Sequence, residues 1–327
     1  MQMYLLLTDT CNLYCSFCIR GKRKSNLYLD VESLKIILSQ NNFFDYYLLI
    51  TGGEPSLHRN LPDIIGLCQS YFKGVSINTN GVESGWINKC RNFNFHVQIS
   101  LDGTKEYHNM LRGNGKSDVY SAVIATIRKL NQFAIPYNIS TTVGNENYEN
   151  VKSLCEVMNE MSGMKYWKVS PQLPFGCMYN TDSVFGVKRW NALVDFLLDH
   201  ARVLLSIKKL FDFDVLERYL KDNPLRRNFP KNNCGSVKYK IYVYPDFTVY
   251  PCTCLTDFPI GNLLNSNLRD ILKSEEATRF SDYRILPDST CNDCKYVDIC
   301  NGGCIGMSYH FFGKLGKGDY RCPLMKR

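Results

Sequence analysis

The sequence lacks any stretch that is apolar over the roughly 20 residues that a membrane-spanning helix needs. Its first nine residues carry no basic segment and only a short apolar run that ends at Asp9, so they do not resemble a secretory signal. Internal repeats and low-complexity tracts are also missing, and 45% hydrophobic residues exclude a disordered chain. We therefore expect a globular, cytoplasmic protein of two domains that does not bind a membrane.

Cysteine, by contrast, is abundant, with 15 among 327 residues. A chain of this length buries enough apolar surface to fold without disulfides, and clustered thiols in a reducing compartment more often serve metal or redox chemistry. The net charge of +8 is not accompanied by a nucleic-acid-binding module, so nucleic acid is not an expected partner. The basic runs 20–24 and 226–227 suit an acidic peptide or electron donor, or a solvated surface.

Short β-rich runs alternate with longer amphipathic stretches over the first two-thirds of the chain. Strict alternation predicts a parallel sheet curled like a TIM-type barrel, with function on the loops that follow the strands. Six units instead of eight predict an open, partial (β/α)6 barrel. The expected strands are Met3–Leu7, Tyr46–Thr51, Gly74–Thr79, Phe95–Leu101, Pro136–Val143 and Tyr166–Pro171, and the expected helices are 31–40, 60–72, 84–91, 118–133, 149–162 and 186–206.

The pattern changes after the barrel, which we assign to residues 1–206. Residues 207–231 are polar and interrupted by proline, and are expected to form a linker. Residues 232–327 hold eight of the 15 cysteines and show little apolar periodicity apart from one hairpin, Lys240–Tyr244 and Thr248–Tyr250. Such a small loop-rich domain needs cross-links or metal to hold its shape.

Cys11, Cys15 and Cys18 form a C-x3-C-x2-C motif directly after the first expected strand. Three thiolates on one loop can hold three irons of a [4Fe–4S] cluster and leave the fourth iron open to another ligand. Zinc is a weaker interpretation because structural zinc generally takes four ligands, and no fourth Cys or His lies nearby.

A glycine pair follows the second strand, in Gly52-Gly53-Glu54-Pro55, where it lets the backbone approach a ligand closely. Together with the cysteine motif, this GGEP loop resembles the radical S-adenosylmethionine (SAM) superfamily. The motifs Thr79-Asn80-Gly81, Ser100-Leu101-Asp102-Gly103 and His108-x3-Arg112 extend the resemblance. It implies that SAM binds at Phe17, Gly52, Gly53, Glu54, Pro55, Asn80, Ser100 and Arg112.

The second cysteine constellation is C-x2-C-x5-C-x3-C, from Cys291 to Cys304. It resembles the SPASM domain, an extension of some radical SAM enzymes that carries two auxiliary [4Fe–4S] clusters. Phe247 stands where that family's hairpin turn has glycine, so a reshaped turn is expected. The resemblance implies that one cluster is held by Cys291, Cys294, Cys300 and Cys322, and the other by Cys304, Cys234 and Cys252.

The sequence leaves two candidates for the fourth ligand of the cluster at Cys252, namely Cys254 and a substrate. Zinc also suits a C-x2-C-x5-C spacing, although the accompanying radical SAM motifs favour iron–sulfur clusters. Cys177 follows the last strand on the face where barrel active sites lie, and is a candidate catalytic hydrogen donor. The remaining cysteines, Cys68, Cys90 and Cys155, are expected to be buried in the core.

The resemblance implies that SAM is cleaved to methionine and a 5′-deoxyadenosyl radical, which abstracts a hydrogen from the substrate. A ribosomally made peptide that becomes crosslinked or oxidised is the favoured substrate. The alternatives are a peptide epimerase, a sugar or aminocyclitol dehydrogenase, and an anaerobic sulfatase-type maturase, which Thr253 disfavours because that class has Asp there. From a different class, a non-catalytic iron–sulfur electron carrier would not need the GGEP loop.

The expected partners are a peptide substrate and a flavodoxin- or ferredoxin-type electron donor. The sequence before the first strand leaves no length for a domain that recognises a leader peptide. A separate recognition protein, or direct peptide binding, is therefore expected.

Overall fold

Ten strands form one sheet in the computed structural model, which describes residues 1–21, 26–113, 117–178, 184–222 and 237–325. Among these residues no helix is long and apolar enough to cross a membrane. The strands are β1 Gln2–Leu6, β2 Tyr47–Thr51, β3 Gly74–Thr79, β4 His96–Ser100, β5 Tyr137–Val143, β6 Met164–Pro171, β7 Leu205–Ser206, β8 Lys240–Val243, β9 Thr248–Tyr250 and β10 Gly261–Asn262.

Helices follow most of these strands in the chain. Short 3₁₀ turns at Pro55–Leu57 and Gly176–Met178 complete the elements. The helices are α1 Val31–Gln40, α2 Leu61–Cys68, α3 Ile87–Cys90, α4 Lys105–Gly113, α5 Val119–Gln132, α6 Asn150–Glu160, α7 Val187–His200, α8 Phe213–Asp222, α9 Leu268–Lys273, α10 Glu275–Ser281, α11 Val297–Cys300 and α12 Ile305–Phe312.

The strand order is β10-β9-β8-β1-β2-β3-β4-β5-β6-β7, and β1 to β7 are all parallel to their neighbours. Parallel neighbouring strands must be joined by a crossover connection, and most of the connections between β1 and β7 contain a helix. The expected parallel α/β sheet is therefore confirmed, and it is consistent with the partial barrel.

Alternation along the strands separates an apolar face from a polar one. Leu48 and Ile50 of β2 belong to the main core, which they form with buried side chains of the helices such as Ile64 and Leu154. The opposite face is largely polar and includes Asn78, the residue next to the end of β3. Polar residues at the ends of parallel strands on this face are positioned to line a binding site.

Several elements differ from the sequence-based expectation. Helix α4 was not expected because its nine residues bury only two side chains, His108 and Leu111. The end of the expected helix 186–206 is instead β7. Part of the expected linker forms α8, and residues 223–231 of that linker lie outside the described part of the chain. Within the described part of the C-terminal segment there are four short helices, α9 to α12.

The C-terminal hairpin is formed by β8 and β9, as expected, and β8 pairs in parallel with β1. The hairpin therefore continues the barrel sheet, and Ile241, Val243 and Val249 join the main core. Phe247 occupies the turn with a left-handed φ of 63° and buries its ring. The turn keeps its hydrogen bond from Phe247 N–H to the Tyr244 carbonyl (2.8 Å), so the missing glycine does not open the hairpin.

Candidate active site

A cavity of about 380 Å³ lies where the parallel strands end. This is the face on which barrel enzymes carry their active sites, and the volume falls within the range of ligand pockets. The lining residues come from the first cysteine loop, the GGEP loop and the ends of β3 to β6. Those that the sequence singled out are Cys11, Cys15, Phe17, Cys18, Gly52, Gly53, Glu54, Asn80, Ser100 and Arg112.

The cysteine loop and the GGEP loop are held together by their backbones. Gly53 N–H donates to the Thr8 carbonyl (2.7 Å), and Glu54 N–H donates to the Thr10 carbonyl (2.9 Å). A Cβ on Gly53 would lie 2.0 Å from the Thr10 carbonyl oxygen, and one on Gly52 would lie 2.6 Å from that of Thr8. The glycines are therefore required for the contact between the two loops, in addition to any contact with a ligand.

Glu54 connects the GGEP loop to the loop after β3. Its buried carboxylate accepts hydrogen bonds from the Thr79 hydroxyl (2.7 Å), the Asn80 N–H (2.7 Å) and the Ser56 N–H (3.0 Å). Burial raises the pKa of Glu54, and these donors oppose the increase. The side chain that was expected to bind SAM thus also positions the loops around the cavity.

Two polar side chains contact the first cysteine group. Asn80 Nδ2 lies 3.9 Å from Cys11 Sγ. Arg112 Nη1 lies 3.9 Å from Cys15 Sγ, while its Nε donates to Asp102 (2.5 Å). Burial raises the pKa of Cys15 to about 11, whereas the nearby Arg112 charge lowers it. Donors and a positive charge beside thiols favour the thiolates that iron binding requires.

The cavity also contains Arg20, which the sequence indicated only as part of a basic run, and Asn78, which it did not indicate. Arg20 pairs with Asp9 and stacks over the Tyr244 ring, 4.8 Å from its centroid. Among the described residues, however, nothing accepts a hydrogen bond from its buried Nε and Nη1, and nothing donates to the buried Oδ1 of Asn78. Buried polar groups are rarely left without partners, so these atoms fit a ligand in the cavity. No spacing rule in the sequence signals this property.

The structure brings four of the predicted auxiliary ligands together. Gly318, with a φ of +99°, approaches one of their thiols so closely that an added Cβ would lie 2.6 Å from Cys291 Sγ. Burial raises the pKa of Cys300 to about 12. The four thiols that line this one small cavity are those of Cys291, Cys294, Cys300 and Cys322.

Another group of thiols in the C-terminal segment lies near Ile19, the residue that follows Cys18. Cys252 and Cys304 pack against a small apolar cluster formed by Cys254, Phe175 and Met307. A hydrogen bond from Cys254 lowers the pKa of Cys252 to about 7. Ile19 and Leu173, beside the cavity, pack against the same cluster. The third predicted ligand of this group, Cys234, lies outside the described residues.

The other four cysteines divide as follows. Cys68, Cys90 and Cys155 are buried in the main core, as expected. Cys177 lies beside the cysteine loop, and its N–H donates to the Cys18 carbonyl (3.0 Å). Its side chain is exposed and is not among the residues that line the cavity. Its placement therefore gives no support to a catalytic role.

Comparison with known proteins decides the family. The model of the radical SAM superfamily matches residues 5–158, and that of the SPASM iron–sulfur cluster-binding domain matches residues 234–295. The chain is a radical SAM protein with a SPASM domain. The first match contains the three-cysteine loop and Arg112. Cys300, Cys304 and Cys322 follow the second match in the chain.

Relatives of this radical SAM protein include maturases. A cysteine-type anaerobic sulfatase-maturating enzyme from Clostridium novyi is 25% identical over 91% of this chain and 85% of its own length. The sporulation killing factor maturation protein SkfB from Bacillus subtilis is 25% identical over 82% of this chain and 63% of its own length. Streptococcus suis SuiB has been solved with S-adenosylmethionine and with its precursor peptide SuiA, and each structure has a TM-score of 0.76 and 15% identity. Each match covers all of this chain, with 77% of the first SuiB chain and 76% of the second.

The donor chemistry fits the groups that a radical SAM protein with a SPASM domain implies. Thiols grouped at three places are the usual donors of iron–sulfur clusters, and the first group borders a cavity with unpaired polar atoms. Among the described residues no three His, Cys, Asp or Glu side chains are arranged to hold a single metal ion.

Proposed function

We propose that this radical SAM enzyme removes hydrogen from a ribosomally made peptide and leaves it crosslinked or oxidised. The observation that carries the proposal is the single cavity at which the cysteine loop, the GGEP loop and Arg112 meet. A [4Fe–4S] cluster on Cys11, Cys15 and Cys18 and bound SAM would supply a reducing electron and a 5′-deoxyadenosyl radical.

The chain's own residues would bind and orient the reactants. The GGEP backbone and Ser100 line the cavity beside the cysteine loop and are suited to polar groups of SAM. The Arg112 guanidinium, held by Asp102, is suited to a carboxylate. Phe17, whose ring centroid lies 5.4 Å from that guanidinium, adds an apolar surface to the cavity wall.

Unpaired atoms in the cavity support a peptide substrate. Arg20 offers donors and Asn78 offers an acceptor, which together complement the carbonyl and N–H of a peptide bond. Among the similar proteins, SuiB was solved with a precursor peptide, and SkfB is named a maturation protein. A flavodoxin- or ferredoxin-type electron donor and a separate protein that recognises the leader peptide complete the proposal.

A sulfatase-type maturase is the second candidate, because the Clostridium novyi maturase matches most of the chain. The residue after Cys252 is Thr253, whose hydroxyl bonds to Tyr244. A hydroxyl in this position does not act as the carboxylate base expected of that class, so we favour the peptide crosslink or oxidation.

The cofactor part of the proposal is tested by iron analysis. We expect about twelve iron atoms per chain after anaerobic reconstitution, as three clusters of four. Replacement of Cys11, Cys15 and Cys18 together by Ala should remove about four of them and abolish formation of 5′-deoxyadenosine from SAM. The remaining eight or so should stay bound at the C-terminal thiols. A triple variant that still forms 5′-deoxyadenosine would contradict this cluster site.

The reaction is tested with peptides encoded beside the gene, incubated with the reduced enzyme and SAM. A crosslink or oxidation removes two hydrogens: the 5′-deoxyadenosyl radical would take one as a hydrogen atom, and the other would leave as a proton while its electron passes to an auxiliary cluster. The product should therefore lose about 2 Da. Cys177→Ala should give the same product at nearly the wild-type rate. A product whose mass is unchanged in ordinary water, and which gains one deuterium in deuterated water, would instead indicate epimerisation and contradict a crosslink or oxidation.

A further inference from the structure

A second cavity, which we call the side cavity, adjoins the active-site cavity beside β6 and β7. It has a volume of about 280 Å³, and Ser170 and Pro171 line both cavities. Its other walls come from β6, from the segment around β7 and from Trp190 of α7. The side cavity therefore offers space for one side chain of a substrate that is held in the active-site cavity.

The ionisable residues that line the side cavity are basic. Lys168 comes from β6 and Lys208 from the segment after β7, and no Asp or Glu of the described chain lines this cavity. Ser170 and Ser206 add two hydroxyl groups. Lysine ammonium groups only donate hydrogen bonds, and hydroxyl groups can donate as well. The lining therefore suits an anionic group with acceptor oxygens.

The strand pattern places Lys168 on the polar face of the sheet. Its neighbours along β6, Trp167 and Val169, are buried in the main core, and successive side chains of a strand point to opposite faces. Ser170 follows two positions later on the same face as Lys168. Two positions span about 7 Å along a strand, so a group bound at Lys168 lies close to the active-site cavity.

The charge of Lys168 is partly buried and has a like charge nearby. Burial lowers the pKa of Lys168, and the positive charge of Lys240 on β8 lowers it further. No acidic group among the described residues opposes these two effects. A charge that leaves water without a partner of opposite sign is unfavourable. A carboxylate bound in the side cavity would supply that partner.

Lys168 differs in this respect from other cations that have little exposed surface. Three arginines with little exposure do have a carboxylate partner, as is usual for buried charges. These ion pairs are Arg20–Asp9, Arg112–Asp102 and Arg321–Asp319. Lys168 therefore retains the capacity to bind an anion from outside the chain.

We propose that Lys168 binds a carboxylate of the substrate peptide in the side cavity and thereby selects peptides with an acidic group near the residue that loses hydrogen. The inference rests on the proposed function in one respect, that the substrate is a peptide. The carboxylate belongs to an Asp or Glu side chain or to the C-terminus of the peptide, which offer the same chemistry. Lys208 is exposed beside the side cavity, and its charge attracts either group.

The first test compares the wild-type enzyme with Lys168→Met, using a peptide encoded beside the gene that the wild-type enzyme modifies. Loss of a hydrogen bond between two charged groups should lower kcat/KM about 10- to 100-fold, mainly through a higher KM. Lys165→Met is the matched control and should keep the wild-type kcat/KM. Lys165 belongs to the same strand but is exposed and lines neither cavity.

Variant peptides identify the source of the carboxylate. Each Asp or Glu of the peptide is replaced in turn by Asn or Gln, and the C-terminal carboxylate is replaced by an amide. One of these peptides should be a poorer substrate of the wild-type enzyme, and Lys168→Met should modify it as well as the wild type does. A wild-type KM in Lys168→Met, or a loss that persists with every variant peptide, would overturn the proposal.

A measurement on the reconstituted wild-type enzyme depends neither on the peptide nor on the folding of a variant. Lysines are methylated anaerobically with formaldehyde and dimethylamine–borane, and the modification of Lys168 is quantified by mass spectrometry. N-acetylglutamate N-methylamide should slow the modification of Lys168 but not of Lys165, and the uncharged glutamine analogue should slow neither. Equal rates for Lys168 with the two probes would overturn the carboxylate site. Protection of Lys168 in an enzyme that modifies no peptide would support this site while the proposed function fails.

Discussion

Replacement of Gly53 by Ala tests whether the contact between the cysteine loop and the GGEP loop sets the geometry of the cavity. The new Cβ would lie 2.0 Å from the Thr10 carbonyl oxygen, and such atoms do not approach below 3.0 Å. The loops must therefore separate by at least about 1 Å, which breaks the hydrogen bonds from Gly53 and Glu54. A displacement of this size near reacting groups costs about 100-fold in rate.

The assay is the rate of 5′-deoxyadenosine formation by the dithionite-reduced enzyme, with SAM affinity measured by equilibrium dialysis. Gly53→Ala should be slower by about 100-fold and should retain the iron of the C-terminal thiols and the wild-type circular dichroism spectrum. Gly85→Ala is the control, because no heavy atom lies within 4 Å of a Cβ at that position. A Gly53→Ala enzyme within about twofold of the wild-type rate would refute the reasoning.

Three further predictions concern stability, measured as urea midpoints. Asp102→Asn leaves the buried Arg112 without a carboxylate and should lower the free energy of unfolding by about 3–5 kcal/mol. Asp118→Asn, which changes an exposed ion pair, should lower it much less, and equal losses would contradict the buried pair. Burial, with the Arg112 charge, lowers the pKa of His108 from 6.5 to about 4. Between pH 6.5 and about 4, His108 is therefore protonated in the unfolded state and neutral in the folded state. The free energy of unfolding should fall by about 1.4 kcal/mol for each pH unit of acidification in this range, and by less in His108→Gln. The same pH dependence in both proteins would contradict the lowered pKa. Phe247→Gly removes the backbone strain of a left-handed φ but also removes a buried ring, so the free energy of unfolding should fall by about 2–4 kcal/mol. A higher urea midpoint than that of the wild type would show that backbone strain dominates.

The barrel could be predicted from the sequence because its elements carry strong periodicity. Strand β3 and helix α1 occupy the expected residues. Helix α8 was missed because it lies in the stretch interpreted as a linker, although Phe213, Leu216 and Leu220 are spaced as one face of a helix. Strand β7 has two residues, which is too short for any alternation to be recognised. Its existence depends on pairing with β6, a tertiary effect.

The candidate site was predictable where spacing along the chain determines chemistry. The resemblance to the SPASM domain implied the four thiols around Cys291 that line one cavity, and the resemblance carried by the GGEP motif implied the loop beside Cys11. The unpaired atoms of Arg20 and Asn78 were not predictable, because an absent partner is a property of the three-dimensional packing. The same holds for Arg321, whose charge reaches thiols that are distant in the sequence.

The pairing of β1 with β8 has a consequence for the order in which the protein is completed during synthesis. Among the described strands β1 leaves the ribosome before the others, and it carries the loop of Cys11 at its end. Its neighbour on one side, β2, follows within about 50 residues, whereas Leu5 meets Val243 only after residues 52–239 have also been made. An unpaired strand edge invites association with other chains. The nascent protein therefore exposes the edge beneath its first cysteine loop until the C-terminal hairpin emerges, and a fragment that ends before β8 would keep that edge exposed permanently.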